Sequence, residues 1–239
     1  MKSVAIITAR GGSKRISRKN IRPFLGKPIL EYSIEAALQT ELFEEVMVST
    51  DDAEIAEIAQ QAGAKVPFFR SAETANDFAT TADVIAEVLA AYAQIGKTFE
   101  AVSCIYPTAP FVTADTLSAA MQLLEQNQAD CVIPVVKFSF PPQRGVIIDN
   151  GKIAPKWPEN MAKRSQDLEP IYHDCGQFYC LNVERFLQQK AIWMEHAIPF
   201  IQEERYVQDI DTLEDWALAE MKYKLLQAER SKKADGKYN

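Results

Sequence analysis

Histidine is almost missing from this chain: 239 residues hold only His173 and His196. The run His173-Asp174-Cys175 offers half of a zinc site, and no second half appears anywhere else. Cysteine is scarce too. Cys104, Cys131, Cys175 and Cys180 form no Cys-x-x-Cys pair, and three of them sit in apolar, strand-like runs, so they read as reduced packing residues. Neither Gly-x-x-x-x-Gly-Lys-Ser/Thr nor Gly-x-Gly-x-x-Gly occurs, which excludes a P-loop NTPase and a dinucleotide oxidoreductase of the usual kind. No stretch approaches the roughly 20 apolar residues of a membrane span. The amino-terminal apolar run is also too short for a signal peptide, so a cytoplasmic protein without membrane contact is expected. There is no internal repeat.

Acid is missing from one place in particular. Residues 1–30 carry eight Lys or Arg and no Asp or Glu, while the other 209 carry 18 basic and 33 acidic groups. A cationic funnel in a chain of net charge −7 suits a small polyanion. It does not suit a nucleic acid, whose recognition recruits a wider basic face. The funnel follows a strand signal, Val4 to Ile7, which breaks at Arg10-Gly11-Gly12-Ser13, where backbone amides can turn towards an anion without Cβ obstruction.

Further along, strand and helix signals alternate. Leu30 to Leu38 has helical spacing, and Val46 to Thr50 reads as a strand ending at Asp51-Asp52, one of which caps a helix with the stripe Ile55, Ile58, Ala59 and Ala62 that ends at Gly63. A short strand is expected at Val66 to Phe69, then a helix over Ala82 to Ile95, a strand over Ala101 to Tyr106, a helix from about Asp115 to Asn127 capped by Thr113, and a strand over Cys131 to Val136. This pattern predicts one α/β domain built on a Rossmann-like, doubly wound, mostly parallel sheet. Ligands of such sheets sit at the carboxyl ends of the strands, which is where Arg10, Asp51, Arg70 and Tyr106 would fall.

From Lys137 to Asp174 the alternation stops. Five prolines, a hairpin signal at Asp149-Asn150-Gly151 and the aromatics Phe138, Phe140 and Trp157 mark an excursion that serves as a lid or packs on another subunit. Strand, helix and strand signals then return at Gly176–Leu181, Val183–Gln188 and Ile198–Gln202. A last helix is expected from Leu213 to roughly Glu229, with a frayed tail over Ser231–Asn239. Thr212 and Asp215 read as its capping box, which leaves Asp209 and Asp211 free. Two apart in an extended segment, these carboxylates point to one side, as solvated acids or as ligands of one divalent cation.

Over nearly its whole length the chain resembles the acylneuraminate cytidylyltransferase family, whose members activate nonulosonic acids with CTP. The amino-terminal signature is the long run Ala9-Arg10-Gly11-Gly12-Ser13-Lys14 followed by Lys19-Asn20. The resemblance implies attack of the sugar's anomeric hydroxyl on the α-phosphate of CTP with loss of pyrophosphate, a Mg²⁺ held by Asp209 and Asp211, and a homodimer in which the excursion reaches the partner's site. It implies that Arg10 and Lys14, with the amides of Gly11 to Lys14, neutralise the triphosphate, that Lys19 reaches the α-phosphate region, and that Asn20, Arg70, Ala79 and Thr81 serve the nucleoside. Arg10, Lys14, Lys19 and Asp211 are thus the expected catalytic set. Tyr106, Thr108, Arg164, His173 and Gln177 are the expected sugar contacts, with Arg164 gripping the sugar carboxylate across the dimer. No side chain stands out as the base for the hydroxyl proton.

One departure bears on the sugar. Relatives acting on the common sialic acid read Gln-Pro-Thr-Ser-Pro-x-Arg where this chain has Tyr106-Pro107-Thr108-Ala109-Pro110-Phe111-Val112. The less polar wall suits a methyl terminus in place of a glycerol tail. Together with Trp157-Pro158-Glu159-Asn160, Arg164-Ser165-Gln166-Asp167 and His173-Asp174-x-Gly176-Gln177-Phe178-Tyr179, it resembles most the family members that act on pseudaminic acid, with legionaminic and N-acetylneuraminic acids as rivals. A reading from another class is a catalytically silent nucleotide-binding protein on the same fold.

Overall fold

The computed structural model describes residues 1–234. Its centre is a seven-stranded sheet of order β11-β6-β10-β5-β1-β4, with β9 added against β6. The strands are β1 (Ser3–Thr8), β4 (Glu45–Ser49), β5 (Ala101–Ile105), β6 (Cys131–Lys137), β9 (Tyr172–Asp174), β10 (Phe178–Asn182) and β11 (Ala197–Gln202). Two ribbons complete the strand set: β2 (Pro23–Phe24) with β3 (Lys27–Pro28), and β7 (Val146–Asp149) with β8 (Lys152–Pro155). Parallel pairings join β1 to β4 and β5, and β11 to β6, whereas β10 and β9 run against their neighbours. The sheet is therefore mixed, with five strands sharing one direction. The helices are α1 (Ile29–Gln39), α2 (Ala53–Gln61), α3 (Ala72–Ala75), α4 (Thr81–Gln94), α5 (Ala114–Gln126), α6 (Val183–Gln189) and α7 (Leu213–Ala234).

Both faces of the sheet are covered, which is why its strands read as unbroken apolar runs rather than alternating ones. In β1, Ala5 and Ile7 pack with Leu30, Ile34, Ile55 and Leu117 from α1, α2 and α5. Val4 and Ile6 point the other way, into Ile85, Val88 and Tyr92 of α4 and Phe186 of α6. All four cysteines are free and buried. Burial pushes the thiols of Cys104, Cys175 and Cys180 up to about 12, which suits packing and not nucleophilic chemistry.

The expected strand at Val66 to Phe69 does not form. The edge is touched once, by a bridge between Lys65 and Met47. Pro67 then has no N–H to offer, and Phe68 turns inward onto Tyr92, ring centroids 5.1 Å apart. The backbone N–H of Arg70 still donates to Thr50 O at 2.8 Å, so Arg70 lies at the carboxyl end of β4 without following a strand of its own. At the far end of the chain, α7 runs past Glu229 to Ala234, so the first part of the expected frayed tail is helical. The rest of that tail, 235–239, lies outside the described residues.

The caps fall where local chemistry puts them. Asp52 accepts the amides of Glu54 and Ile55, and Thr113 accepts that of Thr116. Thr80 and Asp83 form a capping box at the start of α4, the turn that carries Thr81. Replacing Thr80 by Ala is expected to destabilise the protein by about 1 kcal/mol, read as a shifted urea midpoint at unchanged slope.

The excursion leaves β6 at Lys137 and returns as β9. Its β7–β8 hairpin turns at Asn150 and Gly151, with φ of 49° and 75°. Positive φ at both central residues is the signature of the tight turn that matches strand twist. Nothing among the described residues covers this hairpin: Ile148 is 77% and Ile153 72% exposed.

Candidate active site

The loop after β1 is pinned before it reaches the anion. Buried Ala9 donates its N–H to Ser49 O at 3.0 Å, and the Asn20 amide donates to Arg10 O at 2.8 Å. Gly11 lies beyond the end of β4, where a Cβ would meet the Asp52 side chain, Oδ2 at 2.7 Å and Cβ at 3.0 Å, so any larger residue would push against the cap of α2. The expectation that every amide from Gly11 to Lys14 faces phosphate needs correction. Gly11 N–H is given to Asp51 Oδ1 at 2.9 Å, because that carboxylate, at the end of the adjacent strand, is the nearest acceptor. Ser13 N–H turns back to Gly11 O at 3.1 Å. Gly12 and Lys14 keep their amides available among the described residues.

The loop's side chains find acids from far along the sequence. Arg10 donates to Asp77 Oδ1 at 2.7 Å, and Lys14 forms an ion pair with the other oxygen of the same carboxylate. Arg15 donates to Asp211 Oδ2 at 2.8 Å. Lys19 donates to Ile210 O at 2.7 Å and stands 3.6 Å from Asp211 Oδ1. The basic amino end and the acidic carboxyl end thus meet in one place. Of these residues, Arg15 and Asp77 had no role in the sequence reading. Arg15 sat unremarked inside the amino-terminal signature, and Asp77 lay in a polar run with no periodicity to single it out.

Asp211 is presented rather than consumed. Asp215 takes the capping duty, accepting from Thr212 N–H at 2.8 Å and returning its own N–H to Thr212 Oγ1 at 3.2 Å. Asp209 faces an adjoining hollow of about 570 Å³ shared with His173, Asp174, Gln208 and Lys222. Partial burial and then the negative charge of Asp211 raise the Asp209 carboxyl above its ordinary range, with Lys19 opposing. The repulsion from Asp211 is the part that a bound cation would relieve.

The main cleft, about 620 Å³, opens at the carboxyl ends of β1, β4 and β5. Arg10, Ser13, Lys14, Lys19, Asn20, Arg70, Ala79, Thr81, Tyr106 and Thr108 all line it. Arg70, expected to serve the nucleoside, is 8% exposed. Its guanidinium donates to Ser49 Oγ at 3.0 Å and Ser49 O at 2.8 Å. Desolvation lowers its pKa, and among the described residues no carboxylate lies within ion-pair distance. It is a buried cation with spare donors at the cleft wall, an arrangement that welcomes an electron-rich ligand. Tyr106 and Thr81 share a hydroxyl contact of 3.1 Å across the cleft floor.

Three of the expected sugar contacts lie elsewhere. His173 belongs to the adjoining hollow, where its ring lies 4.6 Å from that of Phe138. Gln177 is 2% exposed and lines neither space. It acts as a strut, its backbone carbonyl accepting Tyr106 N–H at 2.8 Å and its side-chain amide donating to Tyr206 O at 2.6 Å. Arg164 stays on the excursion, bound to its own Asp167 at 2.7 and 3.0 Å.

The loop's amides and cations, with Asp211 paired to Arg15 and Lys19, and the nearly dry guanidinium of Arg70 can hold a nucleoside triphosphate, and Asp211 with Asp209 of the adjoining hollow could hold a divalent cation. Comparison with known proteins agrees. A sequence profile described as Cytidylyltransferase matches residues 4–205. The chain belongs to the cytidylyltransferase family. This cytidylyltransferase is 39% identical over 226 residues to the pseudaminic acid cytidylyltransferase of Campylobacter jejuni, covering 94% of this chain and 97% of that one. It is 34% identical to the CMP-N,N'-diacetyllegionaminic acid synthase of Legionella pneumophila, covering 92% and 95%. The N-acylneuraminate cytidylyltransferase of Escherichia coli is 31% identical, covering 91% of this chain and 51% of that one. Among solved structures, a CMP:2-keto-3-deoxy-manno-octonic acid synthetase complexed with CTP superposes with a TM-score of 0.67 at 18% identity, covering 95% and 100% of the two chains. That likeness shows the α/β fold expected from the alternation of strands and helices. No helix among the described residues is long and apolar enough to cross a membrane.

Proposed function

We propose that this cytidylyltransferase transfers CMP from CTP to a nonulosonic acid, with pseudaminic acid as the natural sugar. The observation that carries the reading is the meeting of Arg15 and Lys19 with Asp211 at the mouth of the cleft that Arg10 and Lys14 line. Charges of both signs brought from distant segments to one cleft mouth suit a polyphosphate with its cation.

In this reading Arg10, Lys14 and the free amides of Gly12 and Lys14 hold the outer phosphates, which carry charge away with the leaving pyrophosphate. Lys19, fixed by Ile210 O, screens the α-phosphate. Asp209 and Asp211 would hold a Mg²⁺, because carboxylate oxygens are hard donors of the kind that ion shares with nucleotide phosphates and water. When bound, that ion supplies neutralisation of charge at the phosphates. Arg70 and Thr81 face the nucleoside, and Asn20 works indirectly by holding the loop through Arg10 O.

Two observations support the sugar. Relatives at 39% and 38% identity are named pseudaminic acid cytidylyltransferases. The phenol of Tyr106, partly buried in the cleft, gives an apolar ring where a polar tail would need partners. A further relative, 30% identical, is named a post-translational flagellin modification protein, which fits a product used for surface glycosylation. The bare apolar hairpin supports a homodimer, with Arg164 and His173 serving the sugar from the excursion side.

The test is pyrophosphate release from CTP and Mg²⁺ with a panel of nonulosonic acids. Pseudaminic acid is expected to give a kcat/KM at least about tenfold above N-acetylneuraminic acid, the scale on which an apolar wall discriminates against a polar tail, and to be preferred to legionaminic acid. Preference for either rival would refute the sugar. No release with any of them would favour the silent nucleotide-binding protein.

A further inference from the structure

The phosphate-binding cations are already engaged. A single carboxylate, Asp77, bridges Arg10 and Lys14, and Arg10 also donates to Asn76 O at 3.2 Å. Asp77 belongs to the turn between α3 and α4, and it lines the same cleft as both of its partners. The turn is preset: Asn76 Oδ1 accepts from Phe78 N at 2.7 Å and Ala79 N at 3.0 Å. This holds the Asp77 side chain over the loop, while Phe78 is left 92% exposed at the rim.

We propose that Asp77 is a stand-in for the outer phosphates of the nucleotide. It holds Arg10 and Lys14 together before the nucleotide binds, is displaced by the triphosphate, and returns to both cations as pyrophosphate leaves. The inference rests on the functional reading above, in which those two side chains take the outer phosphates. Without a resident anion, two cations converging on one loop would repel each other and spread into solvent. With one, they stay in register, and an incoming polyphosphate must compete for them. The consequence is selective. CTP and pyrophosphate pay for the displacement, whereas CMP, which lacks the outer phosphates, does not. Asp77 therefore weakens substrate binding somewhat and speeds release of the leaving group, an arrangement that favours turnover over tight binding.

The experiment measures binding of CTP and CMP by calorimetry in the presence of Mg²⁺, and inhibition by pyrophosphate, in the wild type, Asp77→Asn and Asp77→Glu. The asparagine keeps the shape and removes the charge. It is expected to tighten CTP and pyrophosphate by roughly three- to tenfold, the worth of two exposed ion pairs, with CMP unchanged to within about twofold. Asp77→Glu keeps the charge and should behave like the wild type. The proposal is overturned if Asp77→Asn binds CTP equally or more weakly, if CMP tightens by the same factor, or if the glutamate variant tracks the asparagine one. A wild type that binds no CTP at all would sink the functional reading along with it. A wild type that binds CTP while Asp77→Asn gains nothing removes only the role given to Asp77.

Discussion

Asp211→Ala is expected to lower kcat for pyrophosphate release by roughly 10²- to 10³-fold, the usual cost of removing one group that stabilises developing charge. The side chain stands where the two ends of the chain meet, within reach of Arg15 and Lys19. Its loss would take away half of the acid pair and leave both cations free to collapse onto the nucleotide in unproductive positions. Folding should hardly notice, because the contacts of Asp211 are partly exposed ion pairs worth about 0–1 kcal/mol, and the cap of α7 rests on Thr212 and Asp215. Thermal melting within a degree or two of the wild type, set beside the kinetic loss, separates a chemical role from a structural one. Asp211→Asn, which keeps the shape, should be nearly as inactive, and raising Mg²⁺ should restore part of its rate. Activity within about threefold of the wild type would show that Asp211 merely pairs with surface cations.

The largest stability effect belongs to a residue that touches no ligand. Phe24, fully buried, is ringed by Tyr32, Trp216 and Tyr223 at centroid distances of 5.4, 5.7 and 5.7 Å, all edge-on. Its carbonyl also accepts the Tyr32 hydroxyl at 2.8 Å. This cluster, with Ile16, Ile29 and Ile210, clamps α7 to the segment that follows the phosphate loop. Phe24→Ala is expected to cost about 3–5 kcal/mol, from lost burial and the cavity left among rings that cannot close over it. Chemical denaturation measures the loss. A second consequence distinguishes this site from an ordinary core position. Ile210 immediately precedes Asp211, so loosening the clamp should raise the Mg²⁺ concentration needed for half-maximal rate even at temperatures where the variant is folded. A variant that loses stability while keeping the wild-type Mg²⁺ requirement would mean that the aromatic cluster and the acid pair are independent.

The sequence alone carried the loop and the fold class. Glycine, basic residues and an apolar run are local statements, and Gly11 and the strand before it are where those statements put them. Helix ends were legible for the same reason, since Asp52, Thr113 and Thr212 each act on amides two or three residues away. Strand direction was not. The Gly176–Leu181 run reads as one more strand, and only its register with β5 and β6 turns it antiparallel. Composition likewise could not tell that Pro67 would keep Val66 to Phe69 off the sheet edge, because pairing depends on a donor row set by the neighbouring strand.

What the sequence determined by itself was the inventory of charge: which residues carry it, and that one sign crowds the amino end while two free acids wait near the other. Which acid meets which cation was decided by tertiary structure alone. Asp77 and Asp211 lie 67 and 196 residues from Arg10 and Arg15 along the chain, and nothing in local spacing relates them. The crossing of strands brings β1 and β4 side by side and hangs α7 beneath the loop. Coulomb attraction, which acts through space and not along the sequence, does the rest.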